Sequence, residues 1–319
     1  MKHKKITAIA LILLLSLALL SACAPTAAVE EGDGISIVST IFPSYDFARQ
    51  ITAGTDARVT LLLQPGEEVH SFDPTSQDII RIQNADLFLY VGGENDVWVD
   101  GVLTGLDKSV NTFRMMDYVT LYEEELVAGM QPESEDASGE QEWDEHVWTA
   151  PVNAVAIVKA MAAELIAIDP ANASAYQANT DAYVAKLEAL DQSFRDVVNA
   201  ASNRTVVFAD RFPVRYFVEE FGLSYYAAFP GCSAETEPSA ATIAALIDHV
   251  KAENIPVVFY IEMSNQQMAD TVCEATGANK MLFHTCHNVT KAEFDAGETY
   301  LSLMQGNVES LKAALDVTP

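Results

Sequence analysis

The sequence predicts an α/β protein built as two lobes, and three observations carry that expectation. Short apolar runs that end in polar residues alternate with amphipathic runs of helical length, the pattern of a parallel sheet with helices on its faces. Residues 35–319 supply enough chain for two lobes of ordinary domain size. Between the two alternating regions lies one long run without Gly or Pro, "ANASAYQANTDAYVAKLEALDQSFRDVVNAA".

The chain opens with Lys2, Lys4 and Lys5 ahead of an apolar run from Ile6 to Leu20, short for a membrane span and long enough for the core of a signal peptide. It ends in Leu20-Ser21-Ala22-Cys23, which resembles the lipobox of bacterial lipoproteins. Residues 1–22 therefore read as a leader cleaved before a lipidated Cys23, with 23–34 as a flexible tether; the alternative is an uncleaved membrane anchor. Eighteen Lys and Arg stand against 46 Asp and Glu, a net charge of −28, and loss of the three leader lysines and no acid makes it −31. Such a balance excludes binding to phosphate backbones and concentrates cations near any cleft, or simply keeps the protein soluble.

Each element follows in order. "ISIVSTIFPSYDFARQI" reads as a buried strand running into a helix, and "ARVTLLLQPG" as a strand ending at a Pro-Gly turn. Thr75 to Asp78 has the form of a capping box ahead of an apolar helical face, and "DLFLYVGG" is a third strand. This region, 35–168, is the first lobe. Within it ten of the 23 residues 123–145 are acidic and none is basic, so the segment reads as a surface loop: a solvated insertion, or a cation-collecting loop that ends directly on His146.

Asp169-Pro170 makes a good start for the long helix, 169–202, which suits a rigid strut between lobes. The second lobe, 203–319, repeats the alternation: "RTVVFAD" strand, "PVRYFVEEFG" helix, "LSYYAAF" strand, "SAATIAALIDHVKAEN" helix and "IPVVFYIE" strand. A helix from Met263 to Gly277, the strand "KMLFHT" and a terminal helix from about Ala296 to Leu315 follow. Polar residues sit directly after strand ends, where open α/β sheets bind ligands.

The stretch "KMLFHTCHNVT" places Cys286 between His284 and His287, which suits a metal site, a thiol nucleophile or one end of a disulfide. Cys273 lies on a helical stripe with Met268, Val272 and Thr276 and reads as a small buried residue, so Cys232 and Cys286 are the expected pair in an exported chain. Three histidines fall at loop positions beside predicted elements: His70 in "GEEVHSFDPT", His146 in "DEHVWTAPVNA" and His284 in "LFHTCHN". In a chain with six histidines, that placement favours one shared metal over three separate roles.

These residues resemble the zinc and manganese solute-binding lipoproteins of ABC importers, the cluster A-I binding proteins. The resemblance covers nearly all of the mature chain, and its local marks are "STIFPSYDFARQI", "LLLQPGEEVHSFDPTSQDI", "ADLFLYVGG" with Trp98 nearby, "DEHVWTAPVNA" and "DPANASAYQAN". The resemblance implies two Rossmann-like lobes joined by a long rigid helix, with one metal in the cleft between them. It also implies that His70 and His146 are ligands and that His284 stands where relatives have an aspartate, with His287 in reserve. Glu68 is expected to support the site or sit on the surface. At the third position the family has His or Glu, whereas an ungapped match gives Arg211 or Ala209. Asp210 is adjacent and is taken as the ligand, though it equally reads as a helix cap or the partner of Arg211 or Arg215. Glu235, Glu237 and Glu262 are alternative carboxylates.

Three imidazoles and one carboxylate suit a closed tetrahedral zinc site better than manganese. The resemblance further implies a monomer, no enzyme, that captures Zn2+ at the extracytoplasmic face of the membrane and hands it to a permease driven by an ATPase. A zinc hydrolase lacks an H-E-x-x-H motif here, a Cys286–His287 nucleophile pair would point to opposite faces of a strand, and an adhesin role stays open.

Overall fold

The computed structural model describes residues 34–69, 72–106, 108–130, 142–231, 233 and 237–317. The leader, Cys23, His70, Cys232, Glu235 and residues 131–141 of the acidic segment lie outside the described residues. The first sheet comprises β1 (Ser36–Ser39), β2 (Arg58–Leu61), β3 (Leu87–Tyr90) and β4 (Thr112–Arg114), all parallel, in the order β2-β1-β3-β4. The second comprises β5 (Thr205–Phe212), β6 (Ser224–Pro230), β7 (Val257–Tyr260) and β8 (Asn279–Leu282), parallel in the order β6-β5-β7-β8. Both sheets thus wind the same way and reverse direction beside β1 and β5. Beyond the carboxyl ends of the strands at such reversals lies the usual ligand crevice.

Helices fill the connections. In the first lobe α1 (Phe42–Ile51) carries Pro43 in its first turn, and α2 (Ser76–Gln83) is closed by the expected capping box of Thr75 and Asp78. Then come α3 (Val97–Gly105) and α4 (Pro151–Ile168). The long helix α5 (Ala173–Ala200) has 28 residues and spans about 42 Å. Its buried stripe meets both lobes, since Tyr183 lies 6.3 Å from Phe47 of α1 while Phe194 lies 4.8 Å from Phe217 of α6 (Arg215–Phe221). Asn254 in a left-handed conformation ends α7 (Ala240–Glu253), and α8 (Gln267–Thr276), α9 (Lys291–Ala296) and α10 (Tyr300–Ala314) complete the chain.

Period-two alternation sends neighbouring strand residues to different cores. Ile37, Leu87, Phe113, Val206, Phe208 and Phe259 share one continuous core with Tyr300 and Leu311 of α10, so the inner faces of the two sheets are covered by the same apolar mass. Val38, Phe88 and Val99 form a separate cluster outside the first sheet, and Val207, Val258 and Val272 one outside the second.

Several elements depart from the sequence expectation. β5 runs past "RTVVFAD" to Phe212 with an irregular register between Phe208 and Arg211, so one extra residue is inserted and Arg211 is turned relative to Asp210. α8 starts at Gln267, because Met263 and Gln266 adopt positive φ of 61° and 62° and cannot continue a helix. The terminal helix starts at Tyr300 rather than about Ala296, and the short α9 that precedes it, ended by Gly297 at φ 79°, was not read from the sequence. Finally, Cys286, expected to pair with Cys232, is a free thiol among the described residues, and Cys232 lies outside them. With φ at 65° Cys286 turns its side chain into the shared core, where burial, with Glu262, Asp46 and Glu293 around it, pushes the thiol pKa well up.

Candidate metal centre

Two histidines meet at the carboxyl ends of the strands. His146 precedes the turn that leads into α4, and its backbone N and its Nδ1 both bond Asp144 Oδ1, at 2.8 and 3.0 Å. A carboxylate only accepts, so Nδ1 carries the proton and Nε2 is left with its lone pair. His146 is fully buried, and its Nε2 makes no hydrogen bond among the described residues. Burial disfavours the charged ring, yet the charge and hydrogen bond of Asp144, with Glu145 and Glu124 beyond, leave the pKa raised.

His287 lies in the segment after β8. Its Nδ1 is 2.8 Å from Thr285 Oγ1, and that hydroxyl gives its single proton to Glu262 Oε1 at 2.6 Å. The hydroxyl therefore accepts from His287, which fixes the same tautomer: Nδ1–H inward, Nε2 as the donor atom. The two imidazole rings are 4.5 Å apart and nearly perpendicular, and Trp148 stands edge-on to both. Glu262 also accepts from the backbone N of Thr285 and of His287, so its oxygens are committed to holding this turn.

A small cavity beside these rings is lined by Glu67, Glu68, Val69, Arg211, Glu262 and His287, among others. His70 follows Val69 directly. The loop that leads to it is tied down from the second lobe: Asn288 Nδ2 donates to the carbonyls of Gln64 and Glu67, and Gly66 N donates to the carbonyl of Val289. Gly231 closes the other side, where a Cβ would come within 2.9 Å of His146 Cε1 and 3.0 Å of the Phe212 carbonyl.

His284, the residue expected at the strand end, is not part of this cluster. Its backbone is locked by Asn307, which accepts from His284 N and donates to His284 O, both at 2.7 Å. Its Nδ1 accepts from Cys286 N, so the neutral ring carries its proton on Nε2, which faces a groove with Glu293, Glu298 and Ser302. The physical reason is that β8 ends at Leu282 and the turn at Cys286 brings His287 to the cleft instead. Asp210 also stands apart. Its Oδ1 accepts from Arg211 N and its Oδ2 from Ile261 N, and it lines a neighbouring pocket with Ser264 and Met268. Glu237 does not line the cavity. Among the described residues no three His, Cys, Asp or Glu side chains gather as a metal cage. Sequence reasoning missed Asp144 and Thr285, although both stand two residues before the histidine they hold, a D-x-H and T-x-H spacing visible in the chain.

The family model described as zinc-uptake complex component A, periplasmic (ZnuA), matches residues 37–314. The chain belongs to this family. It is 32% identical over 293 residues to the zinc-binding lipoprotein AdcA of Streptococcus pneumoniae, with 90% of this chain covered but only 57% of that protein. It is 31% identical over 289 residues to the high-affinity zinc uptake system protein ZnuA of Bacillus subtilis, with 89% of each covered. Among solved structures, the Zn(II)-bound ZnuA-like domain of S. pneumoniae AdcA superimposes with a TM-score of 0.73 at 30% identity, covering 89% of this chain and 99% of that one.

Proposed function

We propose that the protein is the extracytoplasmic metal-capturing component of an ABC uptake system, a binding protein and not an enzyme, with Zn2+ as its cargo. His146 and His287 bind through Nε2, joined by His70, the residue after cavity-lining Val69, and by a carboxylate. Glu235 is the preferred carboxylate, because it lies four residues beyond Gly231, which touches His146, while Asp210 and Glu262 already serve other bonds. The observation that carries the reading is the pair of buried imidazoles whose Nδ1 protons are fixed inward, the arrangement that orients histidines toward zinc. Family membership supports transport over the hydrolase alternative, and an all-imidazole start to the site favours zinc over manganese. We further infer a lipid anchor at Cys23, action as a monomer, and handover to a permease coupled to an ATPase.

Titration of the purified chain with zinc tests this. His146→Ala and His287→Ala should each weaken binding by about 100-fold or more, while His284→Ala should bind as the wild type does. Wild-type affinity in the first two variants would remove the assignment.

A further inference from the structure

Arg211 is a buried charge that metal capture leaves without a role. Its side chain is 8% exposed, it follows the irregularity in β5, and it faces the same cavity as His287. A guanidinium has no lone pair to offer a cation, so it is no ligand. Instead Nη1 and Nη2 donate in parallel to Glu68 Oε1 and Oε2, at 3.1 and 3.3 Å. Glu68 belongs to the loop between β2 and α2 of the other lobe, two residues before His70. That loop is thus held at two places by the second lobe: along its backbone by Asn288 and Val289, and through the Glu68 side chain by β5.

We propose that Arg211 and Glu68 form an inter-lobe clamp that pins residues 64–69 against the second lobe beside the cavity and slows release of the captured ion; this rests on the metal-binding function proposed above. Residues 67–69 line the cavity, so an ion that leaves past them lifts this described segment, and lifting parts the fork-to-carboxylate pair while Arg211 stays buried. Parting a two-pronged charge pair whose guanidinium is buried falls on dissociation more than on encounter. Geometry matters as well as charge, since lysine keeps the charge and loses the two-pronged match. Arg211 and Glu68 are positioning residues in this scheme.

The test measures zinc release from the full chain into excess chromogenic chelator by stopped flow, alongside zinc uptake rates and thermal midpoints. Arg211→Gln, Arg211→Lys and Glu68→Gln are each expected to release zinc about tenfold faster, with uptake changed by no more than a few fold. The Arg211→Gln/Glu68→Gln double variant should release no faster than either single, because both remove the same pair. A lowered thermal midpoint with unchanged release would mean a purely structural bond and overturns the clamp. Should the Arg211 variants not fold, Glu68→Gln decides alone, as Glu68 is 38% exposed; release at the wild-type rate overturns the proposal. A wild-type chain that does not bind zinc overturns the metal reading and the clamp with it, whereas wild-type binding with unaltered release in the variants overturns the clamp only.

Discussion

At His146 and His287 the ring proton is placed before any ion arrives. Zinc needs the lone pair of Nε2, and a proton on that atom competes with it. Asp144 holds the His146 pKa above the ordinary imidazole value despite burial, so competition begins at a higher pH than for a free histidine. Zinc affinity should therefore be flat at alkaline pH and fall by about tenfold per pH unit below the raised pKa, as read by chelator competition between pH 5 and 8. For the metal-free fold the sign is opposite. A raised histidine pKa adds stability that is complete below the unfolded-state value and is lost as pH rises through the folded one. Gly231 offers a second check. Alanine there meets the His146 ring and the Phe212 carbonyl at contact distances backbone cannot easily relieve, so Gly231→Ala should displace the imidazole and weaken zinc binding by roughly 10-fold or more while the thermal midpoint changes little. These residues also show what the chain declares in advance. His146 was readable from the "DEHVWTAPVNA" element that carries the family resemblance, while the orienting role of Asp144 within that element was not read. His287 was held only in reserve behind His284, because its arrival in the cleft depends on a positive φ at Cys286, and a non-glycine residue in that conformation leaves no trace in composition or period.

At the scale of elements, strands and caps followed local signals. Thr75 with Asp78, Gly222 after α6 and Asn254 after α7 are all placed by short-range chemistry, and all appear where the sequence puts them. The start of α8 and the inserted residue in β5 were hidden, because tertiary contacts override an apolar pattern that runs straight through both. The turn between β3 and α3 carries a further prediction. Asp96 Oδ2 accepts from the backbone N of Val91 and Gly92 at 2.6 and 3.0 Å, yet burial, with Glu145 adding to it, lifts its pKa to about 6. A folded carboxyl pKa above the unfolded value of 3.8 contributes stability below that value which is lost as pH rises through about 6. Asp96→Asn keeps an acceptor and no charge, so its stability relative to wild type should improve from pH 4 to pH 8 by up to about 3 kcal/mol. Urea denaturation at the two pH values reads the difference, and an equal offset at both would refute it. On α5, Leu187 is wholly buried in the shared core, and Leu187→Ala should cost roughly 2–5 kcal/mol in the same assay.

The whole molecule is held by a core that belongs to neither lobe alone. Ile37 and Phe113 of one sheet and Val206 and Phe259 of the other lie in the same apolar cluster. The expectation of a stiff connector was legible in the Gly- and Pro-free run of α5, but the fusion of the two cores was not, because it depends on which faces of distant helices meet. Heating should give a single transition with coincident circular dichroism and calorimetric midpoints, and small-angle scattering profiles with and without zinc should nearly superimpose, leaving loops rather than lobes to move. The last helix has a role in time as well as space. Tyr300 donates its backbone N–H to Asp46 and its hydroxyl to the Trp148 carbonyl, and its ring meets Phe47 at 4.9 Å, so the earliest part of the fold is walled by nearly the latest. A nascent chain cut short before Thr299 has an open, greasy half-core and should be digested throughout by protease. The molecule seals only when its final segment is delivered, and until then the first lobe stays pliable enough to be threaded.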